Sequence, residues 1–392
     1  MNAWSDQLNQ RLASWDADGL ARRLRPADGE GVHLQVNGRS VVSFASNDYL
    51  GLSRHPRVKA AACAAIETHG TGATASRLIC GTRPEHVQLE EALTRFKRSE
   101  AGLAFATGYQ VPLALLPALC ADAPCSMVLD RLAHACLVDG ARLSGARFRT
   151  FRHNDADDLV ATLEKEKAHA GGGRLLVVIE SLYSMDGDVA PLKDIYDVVQ
   201  RYDAWLVVDE AHATGVLGPD GRGALAELFP GPLPENILAM GTLSKALGSQ
   251  GGYLCASRQV IDLLVNAGRA FLFSTGLAPA AAAAAHEALR LLEEDDGPRQ
   301  RLLERADALR ERLQGTGWSV PGGPGPILPL MVGDERRATE IADCLLEKGF
   351  WVPAIRYPTV KRGAARLRLS LSSAHEEQEI AGLVGVLGAL RY

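Results

Sequence analysis

From Ser126 to Ser257 the chain alternates strand-like runs with segments whose apolar residues return every three or four positions. "SMVLD", "RFRTFRH", "RLLVVIES", "AWLVVDEA", "NILAMGT" and "GGYLCAS" read as strands. Between them, "AHACLVDGARLSG", "ADDLVATLEKEKAHA" and "LKDIYDVVQRY" read as helices. Almost wholly apolar strands separated by helices imply an α/β domain with a mostly parallel sheet covered on both faces.

The flanks read differently. Trp4 to Leu24 has Leu8, Leu12 and Trp15 on one helical stripe, and "HLQVNGRSVVSF" reads as a hairpin turning at Asn37-Gly38. This predicts an N-terminal arm over 1–45 and a large domain over 46–294. The alanine-rich helix from Pro279 to about Glu294 meets the charged turn "EEDDGP", and the helix "RQRLLERADALRERLQ" follows. Beyond it, "ILPLMVG", "FWVPAI" and "ARLRLSLS" alternate with "RRATEIADCLLEKG" and a final helix, predicting a small α/β domain over 295–392.

Composition narrows the partners. The 42 basic and 47 acidic residues give a net charge of -5 with no long block of either sign, which argues against a nucleic-acid partner. Arg22, Arg23 and Arg25, and the stretch Arg142 to Arg152, read as solvated faces. Seven cysteines, odd in number and without a Cys-x-x-Cys, fit a reducing cytoplasm. The N-terminal twenty residues carry acids and no apolar core, so a secretory leader is not expected, and no apolar run is long enough to span a bilayer. Small-molecule substrates are the expected partners.

"LVVDEAHATG", Leu206 to Gly215, looks like the acidic box of a nucleotide-driven motor. Such an enzyme also needs a Gly-Lys-Ser/Thr turn for the phosphates, and none of the eight lysines follows a glycine. Asp209 therefore faces another charge, or merely caps the next helix. Thirty-six residues on, "GTLSKALGSQGG" places Lys245 just past the next strand, at the same sheet edge. An amine in a confined, partly desolvated site loses its proton more readily and condenses with an aldehyde. Pyridoxal phosphate uses such an amine, and its ring nitrogen needs a carboxylate, which Asp209 supplies. His212 can reach the ring oxygen. Gly108 and Tyr109 in "FATGYQV" offer amides at a helix start for the phosphate, with Thr242 and Ser244 adding hydroxyls, although Pro117 is expected to disturb that helix. His134 follows another strand, where it could stack on the ring or be purely structural. Four strand-end positions matching one cofactor outweigh any one of them.

These residues and the motifs around them resemble the α-oxoamine synthases, pyridoxal-phosphate enzymes of the aspartate-aminotransferase-like fold (fold type I). The likeness runs through "FASNDYLGLSRHP", "GTRPEHVQLEEAL", "DRLAHACLVDGARLS", "ESLYSMDGDVAPL", "VVDEAHATGVLGPDGRG", "GTLSKALGSQGG" and "AIRYPTVKRGAARLRLSLSSAH". It implies Lys245, His134 and Asp209 as the catalytic residues, with Lys245 forming the Schiff base and His134 stacked on the ring. It implies Gly108, Tyr109, Ser184, His212 and Thr242 as further cofactor contacts. It also implies Arg356 and Asn47 as receptors of the amino-acid carboxylate, and Arg22 and Thr359 as lining the acyl side. A guanidinium on a turn after a strand suits a carboxylate, and a surface ion pair is the plainer reading of Arg356. The implied reaction is decarboxylative condensation of an amino acid with an acyl thioester. "HATGVLGPDGRG" and the C-terminal motif favour the biotin branch, L-alanine with a pimeloyl thioester of coenzyme A or acyl carrier protein. Core residues do not separate it from branches that use glycine or serine. A homodimer is implied, with the segment around Thr275 completing the partner's phosphate site. A non-catalytic paralogue of the same fold is disfavoured by the joint presence of Lys245, Asp209, His134 and His212.

Overall fold

The computed structural model describes residues 3–390. Three strands open the chain: β1 (Ala27–Glu30), β2 (His33–Val36) and β3 (Arg39–Ser43). Seven follow: β4 (Ala101–Phe105), β5 (Cys125–Asp130), β6 (Arg147–Phe151), β7 (Arg174–Glu180), β8 (Trp205–Asp209), β9 (Ile237–Thr242) and β10 (Gly252–Ala256). Four close it: β11 (Ile327–Gly333), β12 (Phe350–Trp351), β13 (Ala354–Ile355) and β14 (Ala365–Ser370).

The chain divides into two compact units. One holds Asp48–Ser184 and Asp188–Arg301. Its sheet has the order β4-β10-β9-β8-β7-β5-β6, parallel throughout except for β10, which is antiparallel to both neighbours. Crossover helices oblige the parallel arrangement, since β5 to β9 are each separated by a helix. The core lies between this sheet and the helices Gln110–Cys120, Ala135–Leu143 and Arg258–Ala267, with Leu115, Leu116, Met127, Leu129, Leu254 and Leu264 fully buried. The mostly parallel α/β reading is thus observed. The edge strand β4 escapes the sequence pattern because "AGLAF" is short and small-residue-rich, which carries little intrinsic strand preference. Pro117 does not break its helix, which runs unbroken from Gln110 to Cys120. Eight of its eleven residues are buried, so packing compensates the lost backbone bond.

The other unit holds the N-terminus to Asn47, Met185–Gly187 and the chain from Leu302 onward. The predicted 1–45 arm is not a separate body: β3 pairs in parallel with β12, Val42 facing Phe350 and Ser43 facing Trp351, so its strands share a sheet with C-terminal residues. The turn at Asn37-Gly38 is as expected, both residues having positive φ (53° and 76°), as a tight two-residue hairpin requires. The helix Ala3–Ala17 buries none of its residues, and the stripe of Leu8, Leu12 and Trp15 is exposed. The expected boundary at 294/295 moves to Leu302, inside the helix Gly297–Gly315, because Leu302, Ala306, Leu309 and Leu313 are the buried residues of that helix. A second sheet in this unit has the order β11-β14-β13.

Candidate active site

Parallel strands deliver their C-terminal residues to one edge, and here five of those ends form the walls of one cavity of about 270 Å³. It is lined by Thr107, Gly108 and Tyr109 after β4, His134 and Cys136 after β5, Glu180 ending β7, Asp209, Ala211 and His212 at the end of β8, and Met240 to Thr242, Ser244 and Lys245 around the end of β9. Seven sequence-predicted cofactor residues, Gly108, Tyr109, His134, Asp209, His212, Thr242 and Lys245, are therefore brought together, with Ser244 beside them. Ser184 is buried and meets the site through its backbone, which hydrogen-bonds the Glu180 carboxyl.

Lys245 Nζ lies 2.7 Å from His212 Nε2, and His212 Nδ1 lies 2.7 Å from the Tyr49 hydroxyl. An amine donating to Nε2 makes Nδ1 the protonated nitrogen and the Tyr49 oxygen its acceptor. His134 caps the helix Ala135–Leu143. The Cys136 backbone N–H donates to His134 Nδ1 at 3.2 Å and the Cys136 Sγ lies 3.0 Å from it, so Nε2 carries the proton. Burial pushes the His134 pKa down and favours this neutral form. Upstream, the Asp130 carboxyl accepts from the Leu132 N–H at 2.7 Å and ties the turn leading to His134.

Asp209 is buried and accepts from the Ala211 N–H at 2.8 Å. Burial raises its pKa, against the pull of Lys245 and His134. Glu180, its register partner on β7, is also buried, and desolvation beside Asp209 raises its pKa well above the ordinary range. Its Oε1 has no hydrogen-bond partner. Glu210, the other acid of the box, is elsewhere: its Oε2 accepts from Lys97 Nζ at 2.8 Å, and that ammonium also donates to Thr214 Oγ1 and the Arg222 carbonyl.

The donor set fits pyridoxal phosphate part by part. The amine of Lys245 suits the aldehyde, the Asp209 carboxyl the ring nitrogen, and His212 the ring oxygen. Gly108 and Tyr109 precede the first turn of the helix Gln110–Cys120, whose N–H groups suit a phosphate. Thr242 Oγ1 and Ser244 Oγ are paired at 2.7 Å on the same side of the cavity. A side chain at Gly108 would fill this cradle, because its Cβ would come within 3.1 Å of Thr242 Cβ. Gly252 must also be glycine, its Cβ falling 2.5 Å from Gly108 Cα.

Residues 39–387 match the aminotransferase class I and II family. The 8-amino-7-oxononanoate synthase of Methylobacterium radiotolerans is 46% identical over 381 residues, 97% of this chain and 96% of its own. The enzyme of the same name from Geobacter sulfurreducens is 44% identical, covering 95% and 94%. This chain belongs to that family, in its 8-amino-7-oxononanoate synthase branch. A solved serine palmitoyltransferase variant from S. paucimobilis, with a bound PLP–myriocin aldimine, superposes with a TM-score of 0.91 at 29% identity over 99% of this chain and 98% of its own. As a member of the 8-amino-7-oxononanoate synthase branch, the chain is a pyridoxal-phosphate-dependent acyltransferase of biotin biosynthesis.

The remaining expected residues lie in the unit that holds the two chain ends. Arg22 Nη2 donates to Thr359 Oγ1 at 3.3 Å, bringing those two together. Arg356 does not pair with Asn47: its guanidinium donates to the carbonyls of Gly19 and Ala21 at 3.0 and 3.2 Å, fastening the segment after the first helix. Asn47 Oδ1 instead accepts from Arg368, at 3.2 Å from both terminal nitrogens, and Arg368 also donates to Ser370 Oγ at 2.8 Å. Arg368 is 5% exposed, on the fully buried strand β14. Two arginines, Arg366 and Arg368, alternating with leucines in a buried strand were the available signal, within "ARLRLSLS". Among the described residues no helix is long and apolar enough to cross a membrane.

Proposed function

We propose that the protein condenses L-alanine with a pimeloyl thioester, releasing carbon dioxide and the free thiol carrier and forming 8-amino-7-oxononanoate. The observation that carries this reading is the convergence of Lys245, His212, Asp209 and His134 on one cavity, in a chain 46% identical to a protein of that name. Pyridoxal phosphate, when bound, supplies an electron sink for the bond broken at the amino-acid α-carbon. Asp209 keeps a proton on the ring nitrogen. Lys245 would hold the aldehyde, and its amine would accept the α-proton of alanine and return it. His134, with Nδ1 engaged by Cys136, leaves Nε2–H as a donor beside the reacting atoms. Gly108, Tyr109 and Thr242 hold the phosphate, with Ser184 steadying Glu180 nearby.

Arg368 with Asn47 replaces Arg356 with Asn47 as our assignment for the alanine carboxylate, because a buried guanidinium offers two parallel donors. Arg22 and Thr359 line the acyl side, and Arg356 positions them by holding Gly19 and Ala21. The reading includes a homodimer. Thr275 bridges to Ser76, and close to that bridge in sequence Leu78, Ile79 and Phe273 are exposed apolar side chains of the kind an interface covers.

The test is a matrix of alanine, glycine and serine against pimeloyl, acetyl, succinyl and palmitoyl thioesters, on coenzyme A and on acyl carrier protein, following thiol release. Alanine with pimeloyl should lead. Preference for glycine with acetyl or succinyl, or for serine with palmitoyl, would reassign the substrates.

A further inference from the structure

Away from the cofactor cavity, the helix Gln110–Cys120 ends on Cys120 and β5 begins on Cys125, with Ala121 to Pro124 forming the turn between. The Cys120 thiol donates to Cys125 Sγ, the two sulfurs 2.6 Å apart. Cys120 is buried and Cys125 half-buried, so only one member of the pair is open to a reagent. Arg174 stands beside them, its Nη1 donating to the Leu119 carbonyl at 2.6 Å. Leu119, Ala123, Pro124 and Arg174 also border a cavity of about 680 Å³ at the edge where β7 and β8 begin, opposite the cofactor site. A thiol next to a cation and partly open to solvent is the environment in which cysteines react.

We propose that Cys120 and Cys125 are a redox-active dithiol that a low-molecular-weight disulfide converts to an intramolecular disulfide. Cys125 is the attacking sulfur: the hydrogen bond from Cys120 lowers its pKa, and the Arg174 charge acts in the same direction against burial. Its thiolate attacks one sulfur of the oxidant and displaces the first thiol, leaving a mixed disulfide on Cys125. Cys120 then gives up its proton and attacks Cys125 Sγ, displacing the second thiol. The two protein thiols lose two electrons and two protons, and the oxidant becomes two thiols. The bridge fastens the end of the helix that begins after Gly108 and Tyr109 to the strand that leads to His134.

The holoenzyme is equilibrated with oxidised and reduced glutathione at graded ratios, quenched with acid and an alkylating reagent, and mapped by peptide mass spectrometry. A cross-linked Cys120–Cys125 peptide that rises with the proportion of oxidised glutathione, and disappears with dithiothreitol, is expected. Cys120→Ser should stop at a glutathione adduct on Cys125, and Cys125→Ser should leave Cys120 unmodified, with bound-cofactor absorbance confirming that both variants are folded. Exposed Cys63 and Cys80 report that the reagent is active. Glutathione on those two with no cross-link at any ratio would overturn the proposal, as would adduct formation on Cys120 in Cys125→Ser at the rate seen for Cys125 in Cys120→Ser.

Discussion

At the residue scale, Asp209 lines the cofactor cavity while Glu210, next in the chain, is buried against Lys97. Successive side chains at a strand end point to opposite sides, so one box of acids serves two purposes. Removing one partner of a buried pair strands the other charge. Glu210→Gln, which leaves Lys97 at 2% exposure without its counter-ion, should cost about 3–5 kcal/mol in equilibrium denaturation. Asp209→Asn should keep fold and cofactor yet lose about a hundredfold to a thousandfold in α-proton exchange, the scale of losing one oriented electrostatic partner. Unchanged exchange would remove Asp209 from its role. The residues that escaped sequence reading share one property: Tyr49 acts through His212, Glu180 beside Asp209, and Arg368 on Asn47, each across a contact that no local spacing encodes.

At the element scale, the end of β5 is clamped by His153, which contacts Asp130 through Nδ1 at 3.0 Å and Asp188 through Nε2 at 2.7 Å. Burial alone would lower its pKa, but the two carboxylates outweigh it and carry it up from 6.5 to about 10. A pKa raised on folding stabilises fully at pH values below 6.5, and that contribution is lost as pH climbs from 6.5 toward 10. Stability should therefore fall across this alkaline window by an amount on the order of a few kcal/mol. His153→Gln should flatten the curve, as read from denaturant midpoints at stepped pH. Strands β5, β7, β8 and β9 were readable from apolar runs because burial on both faces leaves an unmistakable pattern. Strand β4 and the unbroken helix through Pro117 were not, since in both the tertiary packing outweighs local preference.

At the scale of the whole molecule, cofactor binding adds to stability by mass action because only the folded cavity holds it. Removing pyridoxal phosphate should lower the melting temperature, and adding it back at about 100 times its Kd should restore about 2.7 kcal/mol. Lys245→Ala should show a smaller recovery, read by calorimetry with and without cofactor. Equal recovery would show that Lys245 contributes nothing to holding it. The linear order of apolar runs and turns was enough for the α/β class. The missing Gly-Lys turn and the strand-end positions of Asp209 and Lys245 were enough for the cofactor, because a parallel sheet collects its strand ends at one edge. The tertiary structure alone decided that the first strands join a sheet with Phe350 and Trp351, and that Asn47 meets Arg368 while Arg356 holds the N-terminal segment. Those outcomes depend on pairing between residues some three hundred positions apart. Strand register and long-range burial choose such partners, and local sequence carries no record of the choice.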